Sequence, residues 1–266
     1  MTKTILITGA TDGIGLETAK KLAAEGHSLL LHGRNPQKLE HARAQVASME
    51  GAGGTFVADL SQLADVTSLA SRIRERHDHL DVVINNAGVY KTPDPIAAGG
   101  LDVRFVVNTL APYVLTRELL PLMTSNGRVI NLSSAAQAAV DPAAMAGRAR
   151  IGDMEAYAQS KLAITMWSRA LADQRTDGPI IVAVNPGSLL ASKMVKEGFG
   201  VAGNDLGIGA DILTRAALSE EFADANGKYF DNDSGRFAPP HRDAVDPRKC
   251  QELVQQLDAI LSEHAA

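Results

Sequence analysis

The chain has 266 residues, 45% of them hydrophobic and 21% charged, which suits one large α/β domain better than two small ones and supplies a real core. A net charge of −5 with no basic run speaks against a nucleic-acid partner, and one cysteine, Cys250, excludes an internal disulfide and points to a reducing compartment. "MTKTILITGA" enters a strand almost at once, with no room for a signal peptide, and no run of about 18 apolar residues is available to span a membrane, so the expected location is cytoplasmic.

Short apolar runs alternate with helical patterns along the chain. "KTILIT" (3–8) reads as a buried strand from its β-branched content, and "IGLETAKKLAAEG" as a helix stopped by Gly26. "SLLLHG" (28–33) reads as a second strand, about 36–50 as a helix, and "GTFVAD" (54–59) as a third strand. A helix over 62–77 precedes a fourth strand, "LDVVIN" (80–85). The helical stretch over roughly 101–124 carries Pro112, which predicts a kink. "GRVINLS" (127–133) is a fifth strand, "EAYAQSKLAI" (155–164) lies on a helix, and "PIIVAVN" (179–185) is a sixth strand. "GKYFD" (227–231) reads as a seventh strand and 247–263 as a closing helix. The Ala/Gly-rich segment 135–153 and the Gly-rich segment 196–210 read as loops within the domain. Continuously apolar strands alternating with helices predict an α/β fold: a single doubly wound domain over 1–266, its parallel sheet of about seven strands covered on both faces. Ligands of such folds bind beyond the carboxyl ends of the strands.

"TGATDGIG" (8–15) sits at the first such end, with glycines at 9, 13 and 15. The spacing differs from Gly-x-Gly-x-x-Gly, but the physics is shared: missing side chains admit a pyrophosphate, and a helix N-terminus offers N–H groups and a positive dipole end. A plain turn is the alternative. Strand two ends in "HGRN", and no carboxylate stands between Leu29 and Asn35 to take ribose hydroxyls. Arg34 suits a 2′-phosphate, which predicts NADP over NAD, a surface arginine being the alternative. Tyr157 and Lys161, four apart on a helix, share a face. They form either a solvated amphipathic face or a phenol whose pKa a cation lowers, so that it passes protons near neutral pH. Singly, Ser133 and Ser134 could cap a turn or helix, Asn108 could be a satisfied helix amide, and "NNAG" (85–88) and "NPG" (185–187) could be simple loops. The histidines show no metal-ligand spacing, and His27, His32 and His41 read as surface residues.

In combination, "TGATDGIG" (8–15), "ADL" (58–60), "NNAG" (85–88), the Asn of "VVNTL" (106–110), "NLSS" (131–134), "YAQSK" (157–161) and "NPG" (185–187) resemble the short-chain dehydrogenase/reductase family along nearly the whole chain. "VNTLAPYVLTRELLPLM" and "GKYFDNDSGRFAPP" resemble its retinol-dehydrogenase-like branch. The resemblance implies an NAD(P)-binding Rossmann domain in which Gly9, Thr11, Asp12, Gly13, Ile14 and Gly15 cradle the dinucleotide and Arg34 and Asn35 lie at its adenosine end. Asp59 and Leu60 would flank the adenine, Asn86, Ala87 and Gly88 would line the cleft, and Pro186, Gly187 and Leu189 would meet the nicotinamide. Tyr157 would be the acid/base, and Lys161 would hold the nicotinamide ribose and depress the phenol. Ser134 would hydrogen-bond the substrate oxygen and Asn108 would complete a water-linked proton path from Lys161.

Two segments depart from the pattern or leave it open. Ser134 and Tyr157 stand 23 positions apart, a longer interval than is common in the family. Segments of about 135–156 and 191–210 are the expected substrate loops, and Met145, Arg148 and Arg150 could line the mouth or pack outside it. An aromatic content of 4% argues against a large stacked aromatic substrate. The expectation is an NADP(H)-dependent oxidoreductase interconverting an alcohol and a ketone or aldehyde, acting on a small molecule as a homodimer or homotetramer. A non-catalytic dinucleotide-binding regulator or scaffold is the competing reading. An epimerase or dehydratase of the longer relatives is a third, disfavoured by the short C-terminal region.

Overall fold

The computed structural model describes residues 1–46, 53–175, 177–192, 194–196, 200 and 202–264. The strands are β1 (Thr4–Ile7), β2 (Ser28–Gly33), β3 (Thr55–Val57), β4 (Leu80–Asn85), β5 (Met123–Leu132), β6 (Ile180–Asn185), β7 (Tyr229–Asp231) and β8 (Arg236–Phe237). The α-helices with both ends among the described residues are α1 (Gly13–Ala24), α2 (Pro36–Val46), α3 (Leu63–Arg76), α4 (Val103–Phe105), α5 (Ala111–Leu119), α6 (Pro142–Met145), α7 (Asp153–Asp173), α8 (Leu206–Leu218) and α9 (Pro247–Glu263).

One sheet runs in the order β3-β2-β1-β4-β5-β6-β7-β8. Among the described residues, pairing is parallel through β7 and β8 turns back antiparallel on β7. Successive strand residues point to opposite faces, so the apolar runs feed two cores. Leu6, Leu30, Val83, Val129 and Ile181 pack with α3, α5, α7 and α9. Ile5, Ile7, Leu31, Ile84, Ile130 and Val182 pack with α1, α2 and α8. The strand order reverses between β1 and β4, which opens a crevice at their carboxyl ends, where the glycine turn and "NNAG" sit.

Several elements differ from the sequence expectation. The stretch 101–124 is not one proline-kinked helix: α4 passes into a π-helical turn at Val106–Leu110, and α5 follows. Pro112 lies within an unbroken run of helical backbone, and the irregularity falls at the π turn immediately before it. β5 starts at Met123 rather than 127, because Met123 pairs with Leu80 across a register shift. Residues 206–210 open α8, whose start is capped by the Asp205 carboxylate accepting the Gly207 amide. The short helix α6 interrupts 135–153, and β8 adds an eighth strand. The expected end of the second helix at 47–50 lies outside the described residues, as do 193, 197–199 and 201 of the expected loop 191–210.

Candidate active site

Beyond β1 the chain turns sharply at Gly9, whose φ of 66° is favourable only for a residue without Cβ. The turn is tied to β4 by Asn86, whose Nδ2 donates to the carbonyls of Thr8 (2.8 Å) and Gly9 (3.1 Å). A Cβ on Gly15 would stand 2.4 Å from both Asn86 Nδ2 and the Gly9 oxygen, so close packing of turn, helix and strand demands glycine there. Asp12 accepts the Gly13 amide at 2.7 Å and starts α1, while Thr11 abuts Gly33 at the end of β2. This is a cradle of backbone at a helix N-terminus, which fits the phosphates of a dinucleotide.

His32, expected at the surface, is 3% exposed. Its Nδ1 accepts the Gly9 amide at 3.2 Å and its Nε2 donates to the Ala58 carbonyl at 3.1 Å, so the neutral ring struts the glycine turn against the end of β3. Burial pushes its pKa down to about 4. His27 is half-buried and His41 exposed. Arg34 and Asn35 are exposed beyond β2, and Asn35 Oδ1 accepts the Lys38 amide at the start of α2. Asp59 accepts from the amide and hydroxyl of Ser61, and Leu60 is buried beside it.

On the other side of the crevice, α7 carries Tyr157 and Lys161. Lys161, 4% exposed, donates from Nζ to the Leu132 carbonyl at 2.7 Å and lies 5.7 Å from the Tyr157 ring centroid. Burial lowers its ammonium to about 8. Ser134 hydrogen-bonds the Tyr157 phenol, and Tyr90 meets the phenol ring edge-on at 5.4 Å. Burial pushes that phenol above its ordinary value and Tyr90 adds to the rise, against the Ser134 hydrogen bond, which pulls it down. The expected depression by Lys161 is therefore not a property of the protein alone: desolvation of the phenol outweighs the rest.

Asn108 sits in the π turn. Its Oδ1 accepts the Val89 amide and its Nδ2 donates to the Val89 carbonyl and to Ser160 Oγ, so the amide is fully engaged in joining the β4 loop to α7. A Cβ on Gly88 would lie 3.4 Å from Asn108 Oδ1 and 3.5 Å from Lys161 Nζ, which brings "NNAG" against both. Ser133 faces inward instead, hydrogen-bonded to Thr165 Oγ1 at 2.6 Å. Pro186, Gly187 and Leu189 follow β6, and Leu189 has a φ of 52°, a conformation that a branched side chain resists. Met145 is wholly buried in the core, neither lining a mouth nor packing outside, while Arg148 and Arg150 are exposed and Arg150 donates to the Gly100 carbonyl. A cavity of about 440 Å³ bordered by Tyr113, Arg117, Arg175 and Asp258 holds none of the expected catalytic or cofactor-binding residues.

The family profile described as short chain dehydrogenase matches residues 3–203. Human retinol dehydrogenase 13 is 32% identical over 258 residues, covering 86% of this chain and 76% of that protein. A Mycobacterium paratuberculosis protein of uncharacterised function superposes with a TM-score of 0.80 at 26% identity, over 98% of this chain and 93% of that one. An Escherichia coli CFT073 protein crystallised with NADPH superposes with a TM-score of 0.68 at 29% identity, over 86% and 96%. The chain belongs to the short-chain dehydrogenase family, on the branch of its retinol-dehydrogenase-like relatives. It is an oxidoreductase of CH–OH groups with a nicotinamide dinucleotide cofactor. Among the described residues no helix is long and apolar enough to cross a membrane.

Proposed function

We propose that the protein is an NADP(H)-dependent dehydrogenase/reductase interconverting an alcohol and a ketone or aldehyde, with Tyr157 as acid/base. The observation that carries this reading is the convergence of Ser134, Tyr157 and Lys161 beside the Gly88 end of the cofactor cradle. The cradle of Gly9, Thr11, Asp12, Gly13, Ile14 and Gly15 would hold the pyrophosphate, and the exposed guanidinium of Arg34 would meet a 2′-phosphate. Asp59 and Leu60 would border the adenine, Asn86, Ala87 and Gly88 the ribose, and Pro186, Gly187 and Leu189 the nicotinamide. When bound, the nicotinamide supplies or accepts the hydride.

In reduction, negative charge grows on the carbonyl oxygen of the substrate. Tyr157 Oη donates its proton to that oxygen, and the Ser134 hydroxyl donates a hydrogen bond to it. The phenol carries its proton at pH 7 and can donate it, although burial by itself makes it a weaker acid than an ordinary phenol. In the oxidative direction the phenolate needs a nearby cation, and Lys161, over the ring face, is that group. Asn108 keeps the β4 loop and α7 in register around these residues.

The test is a carbonyl panel run with NADPH and NADH in parallel, reading loss of the reduced-nicotinamide absorbance. Wild type turns over with NADPH preferred, and Tyr157→Phe loses about 100-fold or more in kcat with NADPH binding retained. A fully active Phe variant overturns the role of Tyr157. Dinucleotide binding without turnover of any carbonyl favours a regulator on the same fold.

A further inference from the structure

We propose that the β7–β8 hairpin is the positioning frame of the site, Asp233 holding the loop 186–189 and Tyr229 holding the serine loop at Ser134. This rests on the reading above, in which those two loops meet the nicotinamide and the substrate oxygen. The hairpin lies beyond the residues that the family profile matches.

The grip on the first loop is a carboxylate with both oxygens engaged. Asp233 Oδ1 accepts the Ser188 amide at 2.8 Å, while Oδ2 accepts the Ser188 hydroxyl at 2.6 Å and Asn185 Nδ2 at 2.9 Å. Asn185 Nδ2 also donates to Asp231 at 2.8 Å, and Asn232 Nδ2 donates to the Pro186 carbonyl at 2.9 Å. Three consecutive residues of the hairpin thus bind the chain from 185 to 188. The next residue is Leu189, whose φ of 52° persists only where its surroundings impose it. Partial burial pushes the Asp233 carboxyl up, but the bonds from Ser188 and Asn185 outweigh it and hold the group below its ordinary range. It stays an anion through neutral and mildly acidic pH.

The grip on the second loop is a pair of donors on one carbonyl. The Ser134 oxygen accepts the Tyr229 hydroxyl at 3.1 Å and Gln137 Nε2 at 2.9 Å, and Gln137 Oε1 in turn accepts the His241 amide at 3.0 Å. A frame must itself be rigid, and three rings make it so. Phe230 and Phe237 of the hairpin stack edge-to-face at 5.1 Å, and Phe222 meets them at 5.0 Å and 5.2 Å. Parallel pairing of β7 with β6 sets the height of Tyr229 and Asp231 against Ala183 and Asn185.

The experiment compares wild type, Asp233→Asn, Ser188→Ala and Tyr229→Phe as full chains. It reads NADPH affinity by fluorescence titration, kcat and its pH profile on a carbonyl from the panel, and thermal unfolding. Asp233→Asn weakens NADPH binding about 10-fold, the scale of hydrogen bonds to a charged group, and Ser188→Ala weakens it less and adds little on top of it. Tyr229→Phe leaves NADPH affinity in place, lowers kcat about 10-fold and moves the pH profile upward, because a loosened Ser134 pulls the Tyr157 phenol down less. That split supports the frame. Equal NADPH affinity in wild type and Asp233→Asn, or the same proportional loss in every parameter for both hairpin variants, overturns it. Should Asp233→Asn not fold, the exposed Ser188→Ala decides the first grip alone, unchanged affinity refuting it. Wild type that binds NADPH but reduces no carbonyl defeats the catalytic reading while the affinity losses still decide the first grip. Wild type that binds neither NADPH nor NADH defeats both.

Discussion

His32 shows how a neutral side chain can brace the glycine turn from beneath. Its ring receives the Gly9 amide and donates to Ala58, and both bonds require the single tautomer with hydrogen on Nε2. A second proton would set an N–H against the Gly9 N–H. His32→Asn keeps an acceptor at the δ position, whereas His32→Leu removes both bonds, so NADPH affinity should fall about 10-fold in the Leu variant and less in the Asn variant, measured by titration. The pH dependence follows from the same geometry. The native pKa lies near 4 against an ordinary 6.5, so the native state rejects a proton that the unfolded chain accepts. The stabilisation is complete above pH 6.5 and is lost as the pH falls from there through 4, about 3 kcal/mol in all. His32→Asn should flatten the acid limb of a stability-versus-pH curve across that window, and an unchanged limb would rule out His32 as its source. The local sequence "SLLLHG" conceals this role, since a polar residue at a strand end usually faces water and both partners of His32 lie just beyond the ends of other strands.

At the scale of elements, the start of α7 is tied to an arginine on α4. Arg104, 2% exposed, is bidentate to Asp102, with Nε–Oδ1 at 2.8 Å and Nη2–Oδ2 at 2.5 Å, and also pairs with Asp153, the first residue of α7. Tyr157 lies one turn further along that helix. Removing the cation leaves Asp102 buried and unpaired, so Arg104→Met should cost about 3–5 kcal/mol in denaturant unfolding. Arg104→Lys should recover little, because an ammonium lacks the planar fork, and a full recovery would show that charge alone suffices. The same region marks the limit of sequence reading. β1, β2, β4 and β6 are legible because a buried parallel strand is a largely apolar run. The π turn at Val106–Leu110 is not, since it changes the hydrogen-bond register of a helix and leaves the apolar pattern almost intact. α8 is masked by Gly207 and Gly209, and β8 spans only two residues. Within the candidate site, the motifs give the positions of residues next to the strand ends. They do not give the partners that orient them: Tyr229 is 95 positions from Ser134 and Asp233 is 45 from Ser188, and no local periodicity records a contact of that kind.

Over the whole molecule, the cradle, the α7 pair and the hairpin draw on residues from Gly9 to Asp233, so the site exists only when both cores have closed. A ligand of the native site must then stabilise the entire fold. Trp167, the only tryptophan, reports on that event: it is fully buried on α7, edge-on to Tyr113 at 5.6 Å, among residues of α5 and α9. Its emission should be blue-shifted in the native protein and move red in one transition on unfolding. NADPH at 100 times its Kd should add about 2.7 kcal/mol of stability. For a chain of this length that corresponds to a rise of roughly 5–10 °C in the Trp167 transition. NADH at equal concentration should shift it less, because Arg34 stands exposed beyond β2 where an NAD site would want a carboxylate. Equal shifts would remove the case for NADP, and no shift with either dinucleotide would mean that the glycine cradle, however well formed, does not hold the cofactor.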